Sequence, residues 1–276
     1  MTQLHDPETP ALDREEALTR EDAVPFELLE GAFDRGLVLI CDHASNHLPA
    51  HYGSLGLPIA EFERHIAYDI GAAAVTRKMS KILGVPAILS KFSRLLIDPN
   101  RGSDDPTLIM QLSDGAIIPG NANLTKDERA RRIDHYYRPY HDAVGQLLDR
   151  CIKSDRPPAI VSLHSFTQEW HGSLRPWEAA LLWDKDARLV KPMLDCLRRE
   201  TDFSIGDNEP YAGNLKGDTM YRHGTLRGLA HVLVEIRQDQ IRDVPGQQEW
   251  AGRLADILTR IMADPERALE LSIIKK

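Results

Sequence analysis

The chain has 276 residues, 42% of them apolar and 28% charged, the make-up of an ordinary globule long enough to build a full core. Its net charge of −8 argues against nucleic acid as a general partner, because phosphate contacts need a basic face; a small anion held by one local arginine stays allowed. No apolar run reaches the roughly 18 residues of a membrane span, the first residues lack a signal-peptide pattern, and Cys41, Cys151 and Cys196 form no C-x-x-C pair and cannot all be paired. Reduced thiols, a cytoplasmic location and no membrane partner are expected. Oligomeric state is not legible.

Residues 1–24 are rich in Glu, Asp, Arg and Thr and read as an acidic arm, with a single α/β domain expected over 25–276. Gly36 to Cys41 is a continuous apolar run, a buried strand. Phe62, Ile66, Ile70, Ala73 and Ala74 recur at helical spacing and predict a helix over 60–83, ended by Gly84-Val85-Pro86. Ala87 to Leu89 and Leu95 to Ile97 read as short strands, the second running into the turn Asp98-Pro99-Asn100-Arg101-Gly102. Residues 102–124 read as a long loop, and such loops tend to be functional. Thr125-Lys126-Asp127-Glu128 is a capping box opening a helix that Pro139 should kink. Strands follow at Ala159 to Leu163 and Ala179 to Trp183, a helix over 187–200, a strand from His231 to Ile236 and an amphipathic helix around Trp250 to Ile261. Strands alternating with helices indicate a layered α/β fold with a mixed, largely parallel sheet, whose ligands bind beyond the carboxyl ends of the strands.

His43, the Asp98–Arg101 turn, His164 and Glu235 lie at or near such ends, which is the reason to treat them as one site. His43 and His164 are candidate metal ligands, with hydrogen-bonded core histidines as the alternative. His43 is flanked by Asp42, and a carboxylate beside a ligand imidazole is a usual arrangement. His47 lies four residues on, but Pro49 argues against a helical H-x-x-x-H pair and leaves it at the rim. Glu235 interrupts an apolar strand, where a carboxylate needs either a salt bridge, for which Arg237 is placed, or general-base work on water. Arg101 with Asn100 could grip a carboxylate, or merely stabilise the turn. Arg94 is a second such candidate. Tyr140, His141 and His223 are further substrate-binding candidates, with packing as the alternative. Asp69, beside Gly71 within the helical pattern, is awkward there and suggests a cap, a break or a ligand.

Cys41-Asp42-His43-Ala44-Ser45-Asn46, Tyr68-Asp69-Ile70-Gly71, Ser93-Arg94 with Asp98 to Arg101, Pro139-Tyr140-His141, Leu163-His164-Ser165-Phe166, Asn208-Glu209-Pro210-Tyr211 and Glu235-Ile236-Arg237-Gln238-Asp239 together resemble the N-formylglutamate amidohydrolase family. More distantly they resemble the zinc carboxypeptidases and aspartoacylases. The resemblance implies a three-layer α/β/α fold and a bound zinc or similar divalent ion. It implies metal histidines at His43 and His164, a carboxylate grip at Asn100 and Arg101, and Glu235 as the base. The glutamate of the distant relatives' H-x-x-E motif is replaced by Asn46, so Asp69 is the expected third ligand. Three readings compete: release of formate from an N-formyl amino acid, hydrolysis of another N-acyl amino acid or peptide, and non-catalytic binding of acidic amino-acid derivatives.

Overall fold

The computed structural model describes residues 24–154, 156–200 and 202–275. The acidic arm expected over 1–24 lies, apart from Val24, outside them. In chain order the strands are β1 (Phe26–Leu29), β2 (Leu37–Cys41), β3 (Ala87–Ser90), β4 (Leu112–Ser113), β5 (Ala116–Ile117), β6 (Ala159–Phe166), β7 (Glu169–Trp170), β8 (Ser173–Leu174), β9 (Ala179–Leu182), β10 (Ile205–Asp207) and β11 (His231–Arg237). The helices are α1 (Ala72–Leu83), α2 (Lys126–Arg132), α3 (Arg138–Ile152), α4 (Val190–Glu200), α5 (Thr219–His223), α6 (Gln238–Ile241), α7 (Val244–Ala263) and α8 (Pro265–Ser272).

Seven strands form one mixed sheet in the order β1-β3-β2-β6-β11-β9-β10. β3, β2, β6 and β11 run parallel. β1 lies antiparallel on one edge, while β9 and β10 are parallel to each other and antiparallel to β11. The remaining four strands make two separate hairpins. Alternation along β2 builds the layers: Leu37, Leu39 and Cys41 pack with α1 and α7, and Val38 and Ile40 with α3. Both faces are covered, so these strands read as unbroken apolar runs.

Several boundaries differ from the sequence expectation, each for a local reason. The helix predicted over 60–83 is two pieces, a 3-10 turn at Ile59–Glu63 and α1 from Ala72. Gly71 between them has φ +84, and a Cβ there would meet the Ile241 carbonyl oxygen at 2.3 Å. Leu95 to Ile97 is no strand; it is buried, but curls so that the Leu96 amide bonds the Ser93 carbonyl at 3.0 Å. Its apolar character reports burial rather than sheet pairing. The kink expected at Pro139 is a π-turn over Ile133–Tyr137 just before it. β6 runs on to Phe166, so His164 sits inside a strand rather than at its end. The long loop carries the β4–β5 hairpin, and the edge strands β1 and β10 have no counterpart among the predicted elements.

Candidate active site

β2 delivers the chain to Asp42 and His43, both buried. The Asp69 amide donates to the His43 carbonyl at 2.9 Å, which pins the loop before α1 to the end of β2. His164 on β6 is paired in register with Glu235 on β11. Register partners on adjacent parallel strands project to the same face, here the one covered by α3 and α5. The fold thus brings four buried residues, far apart in sequence, to one edge of the sheet.

Both rings turn Nδ1 toward Asp69. Its Oδ2 lies 2.9 Å from His164 Nδ1 and 3.4 Å from His43 Nδ1, and the Ser165 amide donates to it at 3.1 Å. The other nitrogen of each ring meets a second buried aspartate: His43 Nε2 reaches Asp98 Oδ1 at 2.7 Å, and His164 Nε2 reaches Asp42 Oδ2 at 3.2 Å. Carboxylates in that position fix the tautomer and aim the opposite nitrogen at a metal. One ligand atom from each of His43, Asp69 and His164 lies within 4.8 Å of the others, so the trio could hold one metal ion.

The charges fit a cation there. Burial disfavours ionisation of Asp42, Asp69 and Asp98, yet the two histidines (for Asp98, Arg94 and then His43) more than compensate. All three sit below the usual carboxylate range. Burial likewise opposes a charge on His164, but hydrogen bonds to Asp42 and Asp69 raise it to about 10. The protonated ring therefore stands where the carboxylates demand a positive charge, and a metal ion would supply the same. Glu235 differs: burial, stronger than the pull of His164, raises its carboxyl to about 7. Its Oε2 is buried with no hydrogen-bond partner and the residue lines the same cavity.

That cavity has a volume of about 510 Å³. His43, Asp69, Arg94, Asn100, Arg101, His164 and Glu235 all line it. Arg101 donates to the Asn100 carbonyl at 2.9 Å, and the Thr219 amide occupies Asn100 Oδ1 at 3.1 Å, leaving the side-chain NH₂ to meet a ligand. Arg94 pairs with Asp98 at 2.7 Å and approaches Asp69 at 3.6 Å, so it is a counter-ion of the trio's carboxylates as well as a wall residue. Arg237 pairs with Asp239 at 2.7 Å and Glu178 at 3.4 Å, not with Glu235. Asn46 donates to the Phe62 carbonyl at 2.9 Å, and His47 is exposed.

Tyr140, His141 and His223 are outside this lining. The Tyr140 hydroxyl donates to Asp42 at 2.9 Å; His141 Nε2 bonds the Pro99 carbonyl at 2.9 Å and its Nδ1 meets His223 Nε2 at 3.0 Å. Burial holds His141 and His223 neutral, at about 4 and about 3. Their placement makes them supports behind the Pro99–Arg101 turn. Sequence reasoning assigns no role to Asp98 beyond the turn and links Asp42 to its neighbour His43, whereas each aspartate serves the other histidine. It also passes over the wall formed by Tyr211, Lys216 and Asp218, for which Asn208-Glu209-Pro210-Tyr211 is the available signal.

A buried carboxylate raised to about 7, a His–Asp–His trio and a basic wall, all at the carboxyl edge of an α/β/α sheet, are the equipment a hydrolase needs. Comparison with known proteins narrows the class to one acting on an amide bond. A family model described as N-formylglutamate amidohydrolase matches residues 35–242, and the chain belongs to that family. A crystal structure of a gene product of Agrobacterium tumefaciens superposes with a TM-score of 0.83 at 31% identity, over 92% of this chain and 98% of that one. An N-formylglutamate amidohydrolase from Ralstonia eutropha JMP134 superposes with a TM-score of 0.67 at 23% identity, over 90% and 98%, which shows the shared fold. No protein with a curated description matches significantly. Among the described residues, no helix is long and apolar enough to cross a membrane.

Proposed function

We propose that the chain is a zinc-dependent amidohydrolase that releases formate from an N-formyl amino acid, with N-formylglutamate the first candidate. The observation that carries this reading is the unpartnered Glu235 Oε2 on the strand beside His164, in the cavity that Arg101 also lines. His43, Asp69 and His164 would hold the ion, and two imidazoles with one carboxylate suit zinc. When bound, zinc would act as a Lewis acid toward the formyl oxygen and make water more acidic. Glu235 takes a proton from the water that attacks the formyl carbon. As the C–N bond breaks it returns that proton to the leaving nitrogen, giving formate and the free amine. Arg101 and Asn100 grip a substrate carboxylate and so hold the amide at the Glu235 end of the cavity. The family's name supports the formyl substrate. The cavity volume favours a second reading, since about 510 Å³ leaves room for a longer acyl group. Elemental analysis of protein purified without chelator, followed by formate assays over a panel of N-formyl amino acids, tests the proposal. Stoichiometric zinc and formate release are expected. Release of acetate or succinate alone, from the N-acetyl and N-succinyl amino acids, would favour the second reading, and a metal-free, inert protein would remove both.

A further inference from the structure

We infer that Asp42 is a positioning residue that decides which nitrogen of His164 meets the ion, and that Thr219 couples this setting to the turn that grips the substrate carboxylate. Asp42 is wholly buried, and four donors converge on it. Oδ1 accepts from the hydroxyls of Tyr140 at 2.9 Å and Thr219 at 2.7 Å. Oδ2 accepts from the Ser162 hydroxyl and from His164 Nε2, each at 3.2 Å. These donors come from α3, α5 and β6, so the carboxylate stands where three elements meet. An ionised carboxylate only accepts, so Asp42 keeps a proton on His164 Nε2; an ion that replaces the proton on the opposite nitrogen, beside Asp69, then meets the lone pair of Nδ1. Thr219 works in two directions. Its hydroxyl serves Asp42, while its amide donates to Asn100 Oδ1 at 3.1 Å. One residue thereby links the ligand histidine to the carboxylate grip, and so fixes the spacing between the two ends of a bound substrate.

The inference rests on reading the trio as a metal site. Asp42→Asn keeps the side chain's size, and its Oδ1 can still accept from Tyr140 and Thr219. Its Nδ2, however, faces His164 as a donor. Nε2 must then accept, the proton moves to Nδ1, and the ligand nitrogen is blocked. Zinc affinity, measured by competition with a chromophoric chelator, should fall about ten- to hundredfold. Proton–nitrogen spectra of the zinc-loaded native protein should show His164 protonated on Nε2, and that resonance should be lost in Asp42→Asn. Thr219→Val keeps the shape without the hydroxyl; it should weaken zinc binding about tenfold, the lower end of what a hydrogen bond to a charged group contributes, and raise KM for carboxylate substrates, with Thr219→Ser restoring both. If Asp42→Asn does not fold, the two Thr219 variants decide. Native zinc affinity in a folded Asp42→Asn, or in Thr219→Val where it must stand in, overturns the inference and leaves the metal site intact. Failure of the native protein to bind zinc overturns both.

Discussion

Glu235 answers to two opposing demands. As the proposed base it must be ionised, yet burial holds its carboxyl at about 7. Glu235→Gln should lower kcat by about 10²- to 10⁴-fold, the usual worth of a general base, with zinc content unchanged. A second outcome concerns stability. The folded pKa lies above the ordinary 4.5, so the folded state holds the proton more tightly, and stability is lost as pH rises from about 4.5 through about 7. Metal-free Glu235→Gln should therefore melt higher than the metal-free native protein at pH 8, and at the same temperature at pH 4; calorimetry at both pH values checks it. Arg101→Ala should act differently, lowering kcat/KM for carboxylate substrates by about 10- to 100-fold, the worth of a charged hydrogen bond, while barely touching amide-capped ones. Equal losses on both would remove the grip. Both residues are legible in the sequence because each breaks a local pattern: Glu235 is the carboxylate in an apolar strand, and Arg101 follows a turn. Asp98 is not, because its bond to His43 spans 55 positions and nothing local announces it.

The element that most depends on one residue is the loop that carries Asp69. Of the apolar positions at helical spacing there, Ile66 is buried and Phe62, Ile70, Ala73 and Ala74 are half-buried, but the chain cannot stay helical through Gly71 at φ +84. That break releases Asp69 from a helix and lets its amide bond the His43 carbonyl. Periodicity shows which residues are buried; it does not show where the backbone turns, and for the same reason Leu95 to Ile97 reads as a strand. Gly71→Ala adds a methyl group 2.3 Å from the Ile241 carbonyl oxygen and strains φ as well. It should cost about 1–3 kcal/mol of stability, seen as a lower Tm. It should also weaken zinc binding, because Asp69 sits two residues away. A Tm loss with native zinc affinity would mean that the loop, not the ligand, absorbs the strain.

Across the whole molecule, sheet order does what sequence order hides. β2, β6 and β11 are neighbours in the sheet though residues 43, 164 and 235 are far apart in the chain. The apolar runs foretell these strands and their layering, but not their order or register, which arise from helix packing on both faces. The consequence is thermodynamic. The three candidate ligands come from the end of β2, the loop before α1 and β6, so an ion held by them would bridge segments that separate on unfolding. An ion that binds the folded chain alone stabilises it by about 2.7 kcal/mol at a hundredfold excess over Kd. For a chain of this size each kcal/mol moves Tm by about 2–4 °C, so stripping zinc should lower Tm by about 5–10 °C. His164→Ala should lose this response, since one of the three anchors is gone, while Tyr52→Phe, outside the cavity lining, should keep it. A chelator that leaves the native Tm unchanged, under conditions where zinc is shown to leave, would mean that the ion is held by one segment and does not tie the sheet edge together.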